Sequence, residues 1–130
     1  MNSVEIARTL SLSTQAPGAA RHLLDRLPPM VPPTMLERMR VVVSELVTNA
    51  VKHSGLEKGA PIDVRIAATA QAVRLEVRDQ GRGFTPDLPD PDALASGWGL
   101  HLVEKIADRW GVLANGHTVA WAEFDLPKSA

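Results

Sequence analysis

The 130-residue sequence contains no cysteine, which excludes disulfide bonds, thiolate zinc sites and a cysteine nucleophile. It also has no apolar run near the roughly 20 residues that a membrane-spanning helix needs. The first residues, MNSVEIARTLSLS, are neither basic nor continuously apolar, so no signal peptide is predicted. Basic residues are not in excess, since 14 Lys and Arg stand against 15 Asp and Glu. A dedicated nucleic-acid or anionic-membrane binder is therefore not expected, and these absences favour a cytoplasmic protein.

Several catalytic signatures are missing as well. The four histidines have neither HxxxH nor HExxH spacing, so no zinc site is expected. No serine stands in a GxSxG frame, and no GxxxxGK[ST] phosphate-binding loop occurs. The length, with 45% hydrophobic and 22% charged residues, is that of an ordinary globular chain. We expect one domain over residues 1–130.

Hydrophobic periodicity predicts strands and helices in alternation. Period-2 patterns predict strands over 4–12, 62–66, 73–77, 112–114 and 118–126, with an Asn115-Gly116 turn in the last hairpin. Helical periods predict helices over 17–27, 34–54 and 97–110, the second with a Thr34–Glu37 capping box. Antiparallel hairpins with helices between them predict an α+β sandwich, one sheet with helices on one face.

The long predicted helix carries polar residues beside its apolar surface. Glu45, Asn49 and His53 are four residues apart, so their side chains lie one above another along one side. A carboxylate at the edge of a core is costly unless it is solvated, paired or used in a site. A solvated stripe is the simpler explanation when the helix is considered alone.

Two glycine-containing segments follow later in the chain. Asp79 ends an alternating strand and begins DQGRGF, whose glycines permit a sharp turn and a close approach to a ligand. GWGL, residues 97–100, opens a predicted helix, and backbone N–H groups at such an end attract anions. Each segment alone is also explained as an ordinary turn or loop end. Between them, residues 85–96 are rich in Pro and Asp, have no periodicity and suit a functional lid.

Together and in this order, the three features indicate a purine-nucleotide site. Asp79 would accept a hydrogen bond from the adenine amino group. Asn49 would hold Mg²⁺, which prefers hard oxygen ligands and phosphate oxygens. The backbone amides of residues 97–100 would close on the phosphates.

Three segments resemble the motifs of the GHKL, or Bergerat-fold, ATPases. SELVTNAVKHSG is similar to the N box, VRDQGRGF to the first glycine box and GWGLHLV to the second. Within that superfamily, the length, the ELVTNAVKHS spelling and the GLHLVEKIADRWGV segment resemble the small anti-sigma-factor serine kinases of Gram-positive bacteria. The resemblance implies a two-layer α/β sandwich with a mixed, mainly antiparallel sheet and helices on one face.

The resemblance also implies roles for individual residues. Glu45 matches the general base that orients the attacking hydroxyl, Asn49 the Mg²⁺ ligand and Asp79 the adenine-binding acid. The other nucleotide-binding positions that it implies are Lys52, His53, Gly81, Gly83, Gly97, Gly99 and Leu100. The implied ligands are ATP and Mg²⁺.

The function implied is that of an ATP-dependent protein-serine kinase and anti-sigma factor. Such a protein sequesters a sigma factor and phosphorylates a serine of an anti-anti-sigma (STAS-type) antagonist; it is commonly a homodimer and contacts neither nucleic acid nor membrane. Two departures from the family pattern leave an alternative open. Trp98 stands where many relatives have a small, basic or other residue. The 85–96 lid has Asp87, Asp90 and Asp92 but no Arg or Lys. The alternative is a nucleotide-gated protein-binding regulator that transfers no phosphate.

Overall fold

The computed structural model describes residues 3–53, 56–80, 100–114 and 117–127. Within these ranges the elements are β1 Val4–Ser11, α1 Ala16–Leu23, α2 Pro33–His53, β2 Pro61–Ala68, β3 Ala72–Asp79, α3 Leu100–Ile106, β4 Arg109–Ala114 and β5 Thr118–Asp125. A 3₁₀ turn, Leu24–Arg26, extends α1. None of the helices in the described ranges is long and apolar enough to span a membrane.

The five strands form one sheet in the order β1-β2-β3-β5-β4. β1, β2 and β3 follow one another as hairpins, whereas β5 lies between β3 and β4. All four pairings between these strands are antiparallel, so the described sheet has no parallel pair of the kind that a mixed sheet contains. The predicted α+β class, with helices packed on one face of a sheet, is confirmed.

The core lies between this sheet and α2. Apolar residues of α2 recur with the helical period and form one stripe, while alternate strand residues point towards it. In α2, at most 4% of the surface is exposed at Met39, Val42, Val43, Leu46, Val47 and Ala50. From the sheet, the same core receives Ile62, Val64, Ile66, Val73, Leu75, Val77, Ala122 and Phe124. The opposite side of the sheet carries the other half of each strand's side chains.

The start of α2 differs from the prediction. The helix begins at Pro33, where the missing N–H has no cost, and the carbonyl of Pro32 accepts the N–H groups of residues 35 and 36 at 3.0 Å. Thr34 therefore lies inside the helix, and its assignment as the N-cap is wrong. Glu37 forms an ion pair with Arg40 instead of closing a capping box.

The predicted helix over 97–110 is also too long at its C-terminal end. α3 ends at Ile106, and Trp110 lies in β4, where it packs against the core from the sheet side. The N–H of Asp108 already donates to the carbonyl of Glu123 at 2.9 Å, so strand pairing begins directly after the helix. The Asn115-Gly116 turn and the 85–96 lid lie outside the described residues.

Candidate functional site

Three polar side chains are buried in the described part of the chain, and all three line one cavity. They are Asn49 in α2, Asp79 at the end of β3 and Thr118 at the start of β5, each at most 5% exposed. The free volume between the lining residues is about 10 Å³, close to that of one water molecule. Its remaining walls are apolar and consist of Leu46, Ala50, Val77, Leu100, Val112 and Ala120. The site is therefore a polar cluster set in an apolar cleft.

Strand alternation places Asp79 and Thr118 in this cleft. Asp79 continues the buried series of β3, so its carboxylate lies on the side of the sheet that packs against the helices. Thr118 is its register partner across β3 and β5, and it begins the inward-facing series of β5. Residues directly opposite in an antiparallel pair have Cβ atoms about 5 Å apart. The two polar side chains thus lie next to each other on one sheet.

Asn49 reaches the same cleft from α2. It lies one turn after Glu45 and within the apolar stripe of the helix, directly before the buried Ala50. Its Nδ2 atom is buried and finds no hydrogen-bond partner among the described residues. Leaving such a donor unpaired costs roughly 1–3 kcal/mol, so its retention needs a reason other than stability. A ligand or an ordered water that accepts from Nδ2 would supply that reason.

Glu45 and Lys52 lie on α2 to either side of Asn49. Glu45 is half-buried, and Lys52 is exposed. They stand one turn before Asn49 and three residues after it, which is about 6 Å and 4.5 Å from Asn49 along the helix axis, in opposite directions. Neither lines the small cavity.

The other predicted site residues divide into two groups. Leu100 is the first residue of α3, is 1% exposed and forms part of the cavity wall. His53 ends α2, but its side chain lies outside the described residues, as do all four predicted glycines. Those glycines are Gly81, Gly83, Gly97 and Gly99. The structure thus brings Asn49, Asp79 and Leu100 together around one cavity.

Thr118 was not predicted from the sequence. The signal that identified Asp79, a polar residue at an inward position of an alternating strand, is also present at Thr118. It is weaker there, because threonine is common in strands and no glycine motif in the sequence marks the position. Only the register of β3 against β5 shows that Thr118 and Asp79 belong to one site.

A larger depression, about 280 Å³, lies on the opposite side of the sheet. Residues of β1, β2 and β3 line it, including the exposed Arg65 and Arg78 and the half-buried Glu76. It contains none of the three buried polar side chains. Since specific small-molecule sites combine apolar walls with a few convergent polar groups, the smaller cavity is the better candidate.

The donor set of the cleft suits a planar heterocycle that carries an amino group. A carboxylate accepts from such an amine, a hydroxyl both donates and accepts, and the apolar walls contact the ring faces. The amide oxygen of Asn49 is a hard ligand that fits Mg²⁺, which normally takes few protein ligands and completes its shell with phosphate and water. No group of three or more His, Cys, Asp or Glu in the described ranges could hold a metal by itself. The residues present therefore fit a metal that arrives with a phosphate ligand.

Comparison with known proteins gives three similarities. The family model of the histidine kinase-like ATPase domain matches residues 10–122. The anti-sigma F factor of Bacillus licheniformis is 37% identical over 89 residues, which cover 58% of this chain and 60% of that protein. The matched segment thus spans less than two thirds of the curated relative. The crystal structure of the RsbU and RsbW domains of Rv1364c from Mycobacterium tuberculosis matches this chain with a TM-score of 0.70 and 21% identity. The match covers 98% of this chain and 34% of that one. At this identity it shows a similar fold.

Proposed function

Since the chain belongs to the histidine kinase-like ATPase domain family, we propose that its cleft binds ATP with Mg²⁺ and that the protein is an anti-sigma factor with protein-serine kinase activity in the cytoplasm. The observation that carries the proposal is the convergence of Asn49, Asp79 and Thr118 on one apolar cavity. Burying a carboxylate, a hydroxyl and an amide at one point removes their hydration, which disfavours folding. The same groups can form hydrogen bonds with a ligand that enters the cavity.

Adenine recognition is the part of the proposal that the geometry of the cleft supports most directly. The carboxylate of Asp79 would accept a hydrogen bond from the exocyclic amine, and the hydroxyl of Thr118 lies beside that carboxylate across the β3–β5 register. Leu46 and Leu100 line the same cavity and would contact the faces of the ring. A guanine ring presents a carbonyl where adenine presents the amine, and two acceptors would then face each other. The site therefore discriminates in favour of adenine.

Phosphoryl transfer would use α2. The Oδ1 atom of Asn49 would hold Mg²⁺, which supplies charge neutralisation on the phosphates when bound. Glu45, one turn earlier, would accept the proton of a partner's serine hydroxyl as the bond from that oxygen to the γ-phosphorus forms and the bond to ADP breaks. The exposed Lys52 and the metal ion would together neutralise the negative charge of the phosphates. Gly81, Gly83, Gly97 and Gly99 would form the backbone around the phosphates, as their motifs imply.

The proposed protein partners are a sigma factor and a STAS-type antagonist. The support is the 37% identity to a protein named as an anti-sigma F factor. Transfer of phosphate to a serine of the antagonist would add nearly two negative charges to its surface and change which partner is bound. A regulator that binds partners under nucleotide control but transfers no phosphate is the alternative, favoured by the absence of Arg and Lys from residues 85–96.

Nucleotide binding is tested by thermal and chemical unfolding with Mg-ATP. At about 100 times Kd the nucleotide should add roughly 2.7 kcal/mol to the free energy of unfolding. Asp79→Asn should lose most of that increase, because an amide presents a donor to the adenine amine. Asp63→Asn is the matched control: Asp63 is exposed on the other side of the sheet, so the full increase should remain. An equal increase in wild type and Asp79→Asn would overturn the adenine assignment.

The chemical step is tested with γ-labelled ATP and STAS-type proteins encoded in the same genome. Label should appear on a partner serine, and Glu45→Gln should abolish it without changing Mg-ATP binding. Glu37→Gln, two turns earlier on the exposed side of α2, should leave labelling unchanged. Tight partner binding without label would instead support the regulator that transfers no phosphate.

A further inference from the structure

A line of side chains on the solvent-facing side of α2 leads up to the proposed proton acceptor. Seven residues make almost two whole helical turns, so Arg38, Glu45 and Lys52 lie nearly in line along the helix axis. Val41 lies beside this line, one turn before Glu45. Arg38, Val41 and Lys52 are exposed, and Glu45 is half-buried. We call Arg38, Val41 and Glu45 the α2 stripe.

The charges of the α2 stripe are not compensated within the described ranges. Arg38 and Glu45 make no ion pair with any described residue, and they lie about 10 Å from each other along the helix axis. Arg40, two residues after Arg38, is instead held by the carboxylates of Asp25 and Glu37. The first half of α2 thus presents Arg38 as a cation that is free to pair with a carboxylate from another molecule.

Val41 gives the α2 stripe an apolar contact point. Its side chain is 40% exposed, and it is not one of the residues that pack against the core. The residues three and four positions away are all polar, so Val41 lies at the centre of the polar side of the helix. Its exposed surface can be removed from water by an apolar side chain of a partner.

The candidate nucleotide cleft leaves this half of α2 open. The α2 residues that line the cavity are Leu46, Asn49 and Ala50, and all three come after Glu45. In phosphoryl transfer the attacking and leaving oxygens lie roughly in line on opposite sides of the phosphorus. A hydroxyl that reaches Glu45 while the cleft holds a nucleotide therefore arrives from the side of the α2 stripe.

From these positions, and resting on the proposed kinase function, we propose that the α2 stripe is the docking surface for the protein that accepts the phosphate. The segment that carries the target serine places a carboxylate against Arg38 and an apolar side chain against Val41, which brings the serine hydroxyl to Glu45. The stripe also sets the chemistry of that segment. Its carboxylate lies about 10 Å from the serine, and its apolar side chain lies about 6 Å from it.

Alkylation of a single thiol tests the docking surface, because the chain has no cysteine of its own. The probes are STAS-type proteins encoded in the same genome, added with Mg-ATP to Val41→Cys. At about 10 times the Kd of the partner, the reaction with a maleimide should slow about tenfold, since only the free chain reacts. Arg8→Cys is the matched control: Arg8 is exposed on β1, an edge strand of the sheet, and its reaction rate should not change.

Charge reversal at Arg38 separates docking from the chemical step. Arg38→Glu should raise both the Kd and the KM for the partner about tenfold or more, because a carboxylate then faces a carboxylate. The KM for ATP should stay unchanged, and the difference from wild type should shrink as salt is added. Arg8→Glu makes the same charge change away from the stripe and should behave as wild type. Circular dichroism and Mg-ATP binding confirm that each variant is folded.

The outcomes for docking and for the kinase reaction can be told apart. Labelling of a partner serine while the Val41→Cys thiol stays unprotected would overturn the docking surface and leave the kinase proposal intact. Protection of that thiol without labelling would support the docking surface and contradict the kinase proposal. Failure of every STAS-type protein to protect the thiol, or an Arg38→Glu variant with unchanged partner affinity, would also overturn the docking surface.

Discussion

Asp79 and Thr118 are register partners at the ends of β3 and β5, and both side chains are buried on the side of the sheet that packs against the helices. A carboxylate loses hydration when it is buried in a fold, so Asp79 is an unusual residue for an inward-facing strand position. Its position beside a buried hydroxyl and below the buried amide of Asn49 concentrates polar groups at one point of an apolar cleft. This concentration is why the cleft is interpreted as a binding site.

Thr118→Val should weaken nucleotide binding without unfolding the protein. The substitution keeps the shape of the side chain and removes one hydrogen-bonding group, which is worth about 0.5–1.5 kcal/mol or roughly a 2- to 12-fold rise in Kd. Titration calorimetry with Mg-ATP measures the change. Thr9→Val is the control, since Thr9 donates to Asp63 at 2.7 Å on the side of the sheet that faces away from the helices, far from the cleft. An equal rise in the Kd for Mg-ATP in both variants would show that Thr118 has no specific role in nucleotide binding.

Asn49→Ala should leave the ligand-free protein at least as stable as wild type. The change removes a buried donor that has no partner among the described residues, and it introduces a better helix former. The same variant should lose the dependence of nucleotide binding on Mg²⁺. Leu46→Ala, one turn earlier and 1% exposed, should instead lower the free energy of unfolding by about 2–5 kcal/mol. Urea unfolding of both variants shows whether Asn49 is kept for the fold or for a ligand.

Gly111→Ala and Gly18→Ala should change stability in opposite directions. A Cβ atom at Gly111 would approach the indole of Trp121 to 2.8 Å, so the side chain must move at a cost of about 1–3 kcal/mol. At Gly18 in α1 the added Cβ would lie 3.4 Å from the guanidinium of Arg21, an ordinary van der Waals contact, and alanine should stabilise the helix by about 0.5–1 kcal/mol. Thermal unfolding and the fluorescence of the tryptophans report both effects. A Gly111→Ala variant as stable as wild type would contradict the close contact assigned to Trp121, and a destabilised Gly18→Ala variant would contradict the gain expected in α1.

Acid should weaken the ion-pair cluster around Arg109. Hydrogen bonds from Arg109, and for Glu123 also from Arg74, hold the pKa values of Glu123 and Asp125 below their ordinary range. A lowered folded pKa gives stability that is fully present above the unfolded values near 4 and is lost as the pH falls through the folded values. The difference in unfolding free energy between wild type and Arg109→Gln should therefore shrink below about pH 4. Arg38→Gln, at an exposed position of α2, should follow wild type across the same range, and a gap independent of pH would contradict the pairing.

The sheet and the long helix could be predicted because their apolar residues repeat with the period of the backbone. Ile62, Val64 and Ile66 alternate with charged residues, and a buried face follows directly from that alternation. Trp110 was wrongly predicted to be helical, because its spacing from Leu100 also suits a helix. It lies in a strand because β4 pairs with β5, which is a contact between separate segments of the chain. Thr118 was missed for the same reason. Local patterns determine elements, whereas partners across a sheet depend on a register that no local pattern contains.

Glu45 and Asn49 are one turn apart on a 21-residue helix that packs along its length against the sheet. A helix supported in this way is rigid, so the spacing between the proposed proton acceptor, Glu45, and the proposed metal ligand, Asn49, is fixed. Control of the proposed reaction cannot come from rearranging those two groups. Control would instead act on partner binding, which decides which partner's serine hydroxyl is brought next to Glu45.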